Sequence, residues 1–267
     1  AFHPDISGSK DSLKHLFVEE LKKITNLNLK VFVPKDQQHL INELMNENID
    51  FAFMSAYSFL LSKEKEKLNI LLKTVYDGFD SYSTAIVVRS DSNIKNLHDL
   101  KGKRFAYIDK FSTSGHLLPL AKFLEKKINP ETFFKSISYA GKHKDCFKLL
   151  LNKEVDGCPV WAKIDKTGGA WNLYLKTEEQ KLIKPIEFFG KIPNEIFTVR
   201  TRFYQKYQEE TVKIIAALLS YINKPKNRNL IYQIFTIDYF IPTSNSESDF
   251  GEIEKMIKTV GFSVKIK

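Results

Sequence analysis

Residues 11–26, DSLKHLFVEELKKITN, place apolar side chains at 13, 16, 17, 21 and 24, the rhythm of a helix with one buried face. LNLKVFVP (27–34) changes period. Apolar and polar positions alternate and β-branched and aromatic residues dominate, which predicts a strand. QHLINELMNEN (38–48) returns to helical spacing, IDFAFM (49–54) reads as a buried strand and AYSFLLSKEKEKL (56–68) as a helix. Further on, YSTAIVVRSDS (82–92) predicts a strand, and IKNLHDLKGKRFAYID (94–109) a short helix, a turn and a strand. FSTSGHLLPLAKFLEKK (111–127) predicts a helix, FFKSISYAG (133–141) a strand, KHKDCFKLLLNK (142–153) a helix and VDGCPVWA (155–162) a strand. PNEIFTVRTRFY (193–204) is extended, and the C-terminal third is mostly helical, at 208–222, 227–235 and 248–260.

This alternation predicts an α/β architecture with a largely parallel sheet, repeated in two units. The chain passes between them near 84–90 and 193–200, so lobe one is 1–86 plus 195–267 and lobe two is 87–194. Two predicted strand ends run directly into helix starts lined with hydroxyls: Ser55 and Tyr57 in the first unit, Ser112, Thr113 and Ser114 in the second. A helix start leaves about four backbone N–H groups without partners, and a single Ser or Thr suffices to cap them. Three hydroxyls followed by Gly115, which would let a ligand approach the backbone, exceed that need. Helix starts of this kind bind oxyanions, and strand ends facing each other across a cleft would converge on one anion. A generous cap is the competing reading.

Composition narrows the field. At 267 residues, 43% hydrophobic and 13% aromatic, the chain is an ordinary globular protein of one large or two moderate domains. Its net charge of +9 comes from lysines interleaved with acids, the pattern of solvated helix faces and not of a nucleic-acid stripe. No apolar run reaches about 18 residues, and no basic and apolar leader is present. The opening AFHPD reads like the tail of a strand, which suggests that a leader and part of the first strand precede this sequence. Cys146 and Cys158 leave three readings open: a disulfide, two buried thiols, or a thiol site for arsenite. Paired carboxylates, a nucleophile elbow and a metal-ligand cluster do not stand out, so neither an enzyme nor a cofactor is expected.

The stretches IDFAFMSAYSF, SYSTAIVVRSDSNIKNLHDLKGKRFAYID, STSGHLLP, FFKSISYAGKH and NKEVDG occur in that order. Together they resemble the periplasmic phosphonate-binding proteins of ABC transporters, over about residues 40 to 200. The resemblance implies a two-lobed type II periplasmic-binding fold, each lobe a mixed sheet flanked by helices and joined by two hinge strands. It implies capture of a phosphonate, phosphite or phosphate between the lobes by a monomeric, periplasmic or extracytoplasmic protein, with or without a lipid anchor. The implied partner is the membrane permease of an ABC importer; the alternative is a sensor kinase or chemoreceptor that reads phosphate or arsenate. In that frame Ser112, Thr113 and Ser114 hold the oxyanion, and His143, Tyr82, Tyr57 and Ser55 join them. An imidazolium at His143 would strengthen binding below pH about 6.5. Glu195 matches an acid that faces a ligand ammonium; beside an oxyanion it would accept a proton from phosphate or phosphonate and reject sulfate. One departure stands out: where aminophosphonate binders place a second acid after the VDG strand, this chain has CPVWAKID, with Lys163 near the expected position. A smaller oxyanion or an amine-free phosphonate therefore fits better than aminoethylphosphonate.

Overall fold

A computed structural model describes residues 1–2, 11–63, 68–243 and 250–261. Its strands are β1 (Phe51–Met54), β2 (Leu68–Val75), β3 (Ser81–Arg89), β4 (Arg104–Tyr107), β5 (Ser136–Tyr139), β6 (Cys158–Lys163), β7 (Ile183–Pro193), β8 (Ile196–Arg200) and β9 (Tyr239–Pro242). The chain divides into two compact units: Ala1–Asp80 with Asn194–Asp249, and Ser81–Pro193 with Phe250–Lys267.

The first unit holds a sheet of order β1-β8-β2-β9, every pair antiparallel. Helix Asp11–Thr25 buries Phe17, Val18 and Leu21, whereas Leu16 and Ile24, which its spacing placed on the same face, are exposed. The buried three join Phe53, Leu72, Phe197, Leu218, Ile231 and Phe235 in one apolar cluster. In the second unit β3 is paired on both sides, antiparallel to β6 and to β7. β4 and β5 form a parallel ladder, and a parallel bridge from Phe105 to Gly157 leads toward β6. Ala85, Ile108, Phe147, Leu150 and Val160 fill its core.

Several expectations change. The sheets are not largely parallel; among the described strands only β4 and β5 form a parallel ladder. β8 comes late in the chain and inserts between β1 and β2, running against both. Local periodicity is blind to such a non-local pairing. Among the described residues, 27–34 join no ladder, although the Phe32 carbonyl accepts the Phe2 N–H at 3.1 Å and Ala1 accepts from Phe53 at 3.0 Å. A strand needs a neighbour, and among the described residues Phe2 supplies one hydrogen bond to this segment. The helix expected over 56–68 is Ala56–Lys63. Its charged end at 64–67 lies outside the described residues, as does part of AFHPD, and Leu68 already opens β2. Thr201–Lys206 is helical, not extended. β8 runs out of partners at Arg200, because β1 begins opposite Val199 and β2 opposite Arg200.

The expected boundary at 86/87 falls inside β3, and the chain leaves the first unit at Asp80 instead. Both crossings run side by side: the Asn194 N–H donates to Asp80 at 2.9 Å, and Ser81 pairs with Pro193. Residues 195–267 do not all return to the first unit. Helix Gly251–Val260 packs on the second, burying Ile253 and Met256. Its apolar positions show that it covers something, but not what.

Cys146, on helix His143–Leu151, and Cys158, on β6, are joined by a disulfide, and both are fully buried. That removes the thiol readings left open by the sequence. With 12 residues of separation, the cross-link should be worth about 3 kcal/mol through the unfolded state. Urea unfolding with and without dithiothreitol measures it, and coincident curves would contradict the assignment.

Candidate functional site

Strands β4 and β5 run parallel, and each carboxyl end opens into a helix: β4 into the hydroxyl cluster, β5 into Gly141 and His143. Ile108 ties the two junctions together. Its N–H donates to the Gly115 carbonyl at 3.0 Å, and its carbonyl accepts the Gly141 N–H at 2.8 Å. Gly141 has φ +83°, a left-handed turn that reverses the chain into the next helix. Carboxyl ends of parallel strands are where α/β proteins place ligands.

The first turn after β4 is a π turn, Thr113–Leu117, continued by the α-helix Leu118–Glu125. Ser112 is its N-cap. The hydroxyl accepts the Gly115 N–H at 3.0 Å, and the Ser112 carbonyl accepts from Leu117 at 3.0 Å. Capping uses only the acceptor side of that hydroxyl, so its proton stays available. Thr113 and Ser114 stand at the first positions of the turn, where backbone N–H groups have no intrahelical acceptor. The Thr113 hydroxyl is buried with no hydrogen-bond partner among the described residues. A buried, unpaired hydroxyl is a net cost to the fold, and such groups in native proteins call for a reason.

β3 supports the turn from beneath. The Thr84 hydroxyl donates to the Ser114 carbonyl at 3.0 Å. Tyr82, two residues away and half-buried, shares that face of the strand. His143 is buried in the first turn of helix His143–Leu151, behind Lys142 as N-cap. All of these lie in the second unit: Ser112, Thr113 and Ser114 at the junction after β4, His143 at the junction after β5, and Tyr82 on β3 two residues from Thr84. Gly115 has a different role from the one its sequence context suggested: a Cβ there would stand 2.4 Å from the Ile108 Cβ. Packing against Ile108, just beyond β4, by itself requires the glycine.

The remaining candidates lie in the first unit. Ser55 precedes helix Ala56–Lys63; its hydroxyl accepts the Ser58 N–H and donates to the Ser58 hydroxyl, which donates to Gln37. That hydroxyl is committed to the helix start. Tyr57 is fully buried with no hydrogen-bond partner for its hydroxyl among the described residues. Burial pushes its pKa up, so it remains a donor. Glu195 is half-buried, and its carbonyl takes both the N–H and the hydroxyl of Thr74.

Two groups escaped the sequence reading. Lys73 on β2 is only 8% exposed, in a sheet row with Ile196 and Ile241; its signal was a lone lysine inside the apolar run NILLKTV. His116 is 4% exposed, with Nδ1 at 3.0 Å from the Lys110 carbonyl and Nε2 at 3.4 Å from the Tyr139 hydroxyl. A carbonyl only accepts, so Nδ1 carries the proton and Nε2 is the acceptor. Burial lowers its pKa to about 4. An unfolded histidine takes up a proton near pH 6.5. Between these values the unfolded chain binds a proton that the native chain does not. The contribution is complete above about pH 6.5 and is lost on acidification toward pH 4, about 3 kcal/mol in all. Urea midpoints across that range should fall less steeply for His116→Gln; parallel profiles would contradict the burial of a neutral imidazole.

Comparison with known proteins places this geometry. Residues 3–248 match the family described as the ABC transporter, phosphonate, periplasmic substrate-binding protein. The chain belongs to this family. Members of the phosphonate-binding family are substrate-binding components of transporters, not enzymes. The chain is 27% identical over 184 residues to the phosphonates-binding periplasmic protein of Escherichia coli K12, covering 66% of this chain and 52% of that one. It is 27% identical over 177 residues to a phosphate-import protein of Mycolicibacterium smegmatis, covering 61% and 53%. The match thus spans about half the length of these relatives. Among solved structures, a phosphonate-transporter binding protein from Pseudomonas aeruginosa superposes with TM-score 0.80 at 18% identity, over 97% of this chain and 85% of that one. PhnD1 from Prochlorococcus marinus, in complex with methylphosphonate, gives 0.78 at 17%, over 97% and 96%. At such identities these likenesses speak for the periplasmic-binding fold alone. Among the described residues no helix is long and apolar enough to cross a membrane.

Proposed function

We propose that this chain is the extracytoplasmic binding component of an ABC importer, and that it captures a tetrahedral phosphorus oxyanion (phosphonate, phosphite or phosphate) for delivery to a membrane permease. The observation that carries the reading is the buried Thr113 hydroxyl, unpaired among the described residues, at a helix start where the Ser112 proton and the first N–H groups also remain available. Neutral donors suit a carrier, because they bind an anion firmly without a fixed counter-charge that would hold it. Each hydrogen bond to a charged oxygen contributes about 1.5–3 kcal/mol, and four or five support micromolar binding after the costs of association. The participation of Tyr57 and Glu195 belongs to the proposal, whereas the Ser55 hydroxyl is engaged at its own helix start. The buried disulfide supports an oxidising compartment. The sensor alternative has no observation in its favour over the importer.

A thermal-shift series with phosphate, phosphite, methylphosphonate, aminoethylphosphonate, arsenate and sulfate tests the reading. A ligand at about 100 times its Kd stabilises the native state by about 2.7 kcal/mol. At least one phosphorus oxyanion should raise the melting temperature by several degrees while sulfate does not. A series in which none does, or in which sulfate matches phosphate, contradicts it.

A further inference from the structure

We propose that the turn at 76–79, with Tyr232 and Asp238 beside it, is a docking surface of the first unit for an arginine-bearing extracytoplasmic segment of the membrane permease. The inference rests on the importer reading above. The Tyr76 N–H donates to the Phe79 carbonyl at 2.9 Å, and the Phe79 N–H to the Tyr76 carbonyl at 3.0 Å. Between them Asp77 and Gly78 both take left-handed backbone, with φ +51° and +79°. This is the tight two-residue turn that Asp-Gly favours, and its closing residues share a face. Tyr76 hydrogen-bonds to Tyr232, on helix Arg228–Phe235. The Asp77 N–H donates to the Asp238 carboxylate at 2.6 Å. Phe79 and Tyr232 are nevertheless 39% and 42% exposed, and Asp238 is exposed beside them.

Single exposed rings are ordinary, but rings clustered on a fixed turn mark a contact surface. A turn already held by its own hydrogen bonds loses little freedom when a partner docks. The patch is also negative in a chain whose net charge is +9. Burial, then Tyr232, Asp77 and Asp238, push the Tyr76 phenol up to about 12, so carboxylate charge lies beside the rings. A carboxylate accepts several hydrogen bonds, and one backbone donor leaves Asp238 capacity for a guanidinium. Aromatic faces attract the same cation. The position suits delivery. β1 and β2 both run against β8, and Met54 and Lys73 stand opposite the same residue, Ile196. The turn therefore lies at the end of the sheet where Ser55 and Tyr57 begin their helix.

Interferometry of the full chain on nanodiscs that hold the cognate permease and its ATPase subunits tests the surface. Wild type is compared with Asp238→Lys and with the double variant Phe79→Ser/Tyr232→Ser, and each is also titrated with methylphosphonate by calorimetry. Both variants should dock about tenfold more weakly or worse, while methylphosphonate affinity stays within about twofold of wild type. Asp238→Lys should also flatten the dependence of the docking rate on salt, the signature of a lost charge attraction. Docking within about twofold of wild type in either variant overturns the inference, as does a joint loss of docking and methylphosphonate binding. A wild type that docks on no permease overturns the importer reading itself.

Discussion

Gly115→Ala should be the most damaging single-methyl change in the second unit. The added Cβ would lie 2.4 Å and 2.5 Å from Cβ and Cγ1 of Ile108, and 2.8 Å from the Ser112 hydroxyl. Neither side can yield easily. Ile108 is fully buried, and its backbone is bound on one side to Gly115 and on the other to Gly141. Moving it would pull apart the two junctions that shape the site. Overpacking of this kind costs about 1–3 kcal/mol, and at a site fixed on both sides about 3 kcal/mol or more is expected. Urea denaturation followed by circular dichroism measures the loss. A variant within about 0.5 kcal/mol of wild type would show that the π turn and β4's extension are not locked together.

Thr113→Val should have opposite effects on stability and binding. Valine keeps the β-branched shape and removes only the hydroxyl oxygen, which is buried and unpaired among the described residues. Relieving an unsatisfied buried polar group is neutral or stabilising, so the melting temperature without ligand should stay level or rise. Affinity for the phosphorus oxyanion should fall roughly 10- to 100-fold, the worth of one hydrogen bond to a charged group. Ser112→Ala serves as the contrast. It removes a cap as well as a donor, and should cost about 1 kcal/mol of stability along with affinity. Loss of stability in Thr113→Val with affinity unchanged would assign that hydroxyl to the fold.

Much of this was legible in the chain. The helix over Asp11–Thr25, the strand ends before Ser55 and Ser112, and the two-unit α/β plan follow from local periodicity and the turns between elements. The hydroxyl cluster announced itself by exceeding what one cap requires. Other features are set by distant partners. β8 finds its place between β1 and β2 only after the chain has built the second unit. β7, from Ile183 to Pro193, is exposed at several positions and interrupted by register shifts, so IKPIEFFGKIP shows no clean alternation. Gly115 looked like an opening for a ligand because its neighbour across space, Ile108, is invisible in the local sequence. Lys73 shows the converse. A lysine within an apolar run reads as an edge of the pattern until the ladder shows it buried on β2.

The central claim is that the start of the Thr113 helix holds a phosphorus oxyanion, and a crystal structure of the protein grown with methylphosphonate tests it most directly. The account predicts phosphonate oxygens within about 3 Å of the Thr113 hydroxyl, the Ser112 hydroxyl and the N–H groups of Thr113 and Ser114. A phosphonate bound elsewhere, with the Thr113 hydroxyl still buried and unpaired, would contradict it.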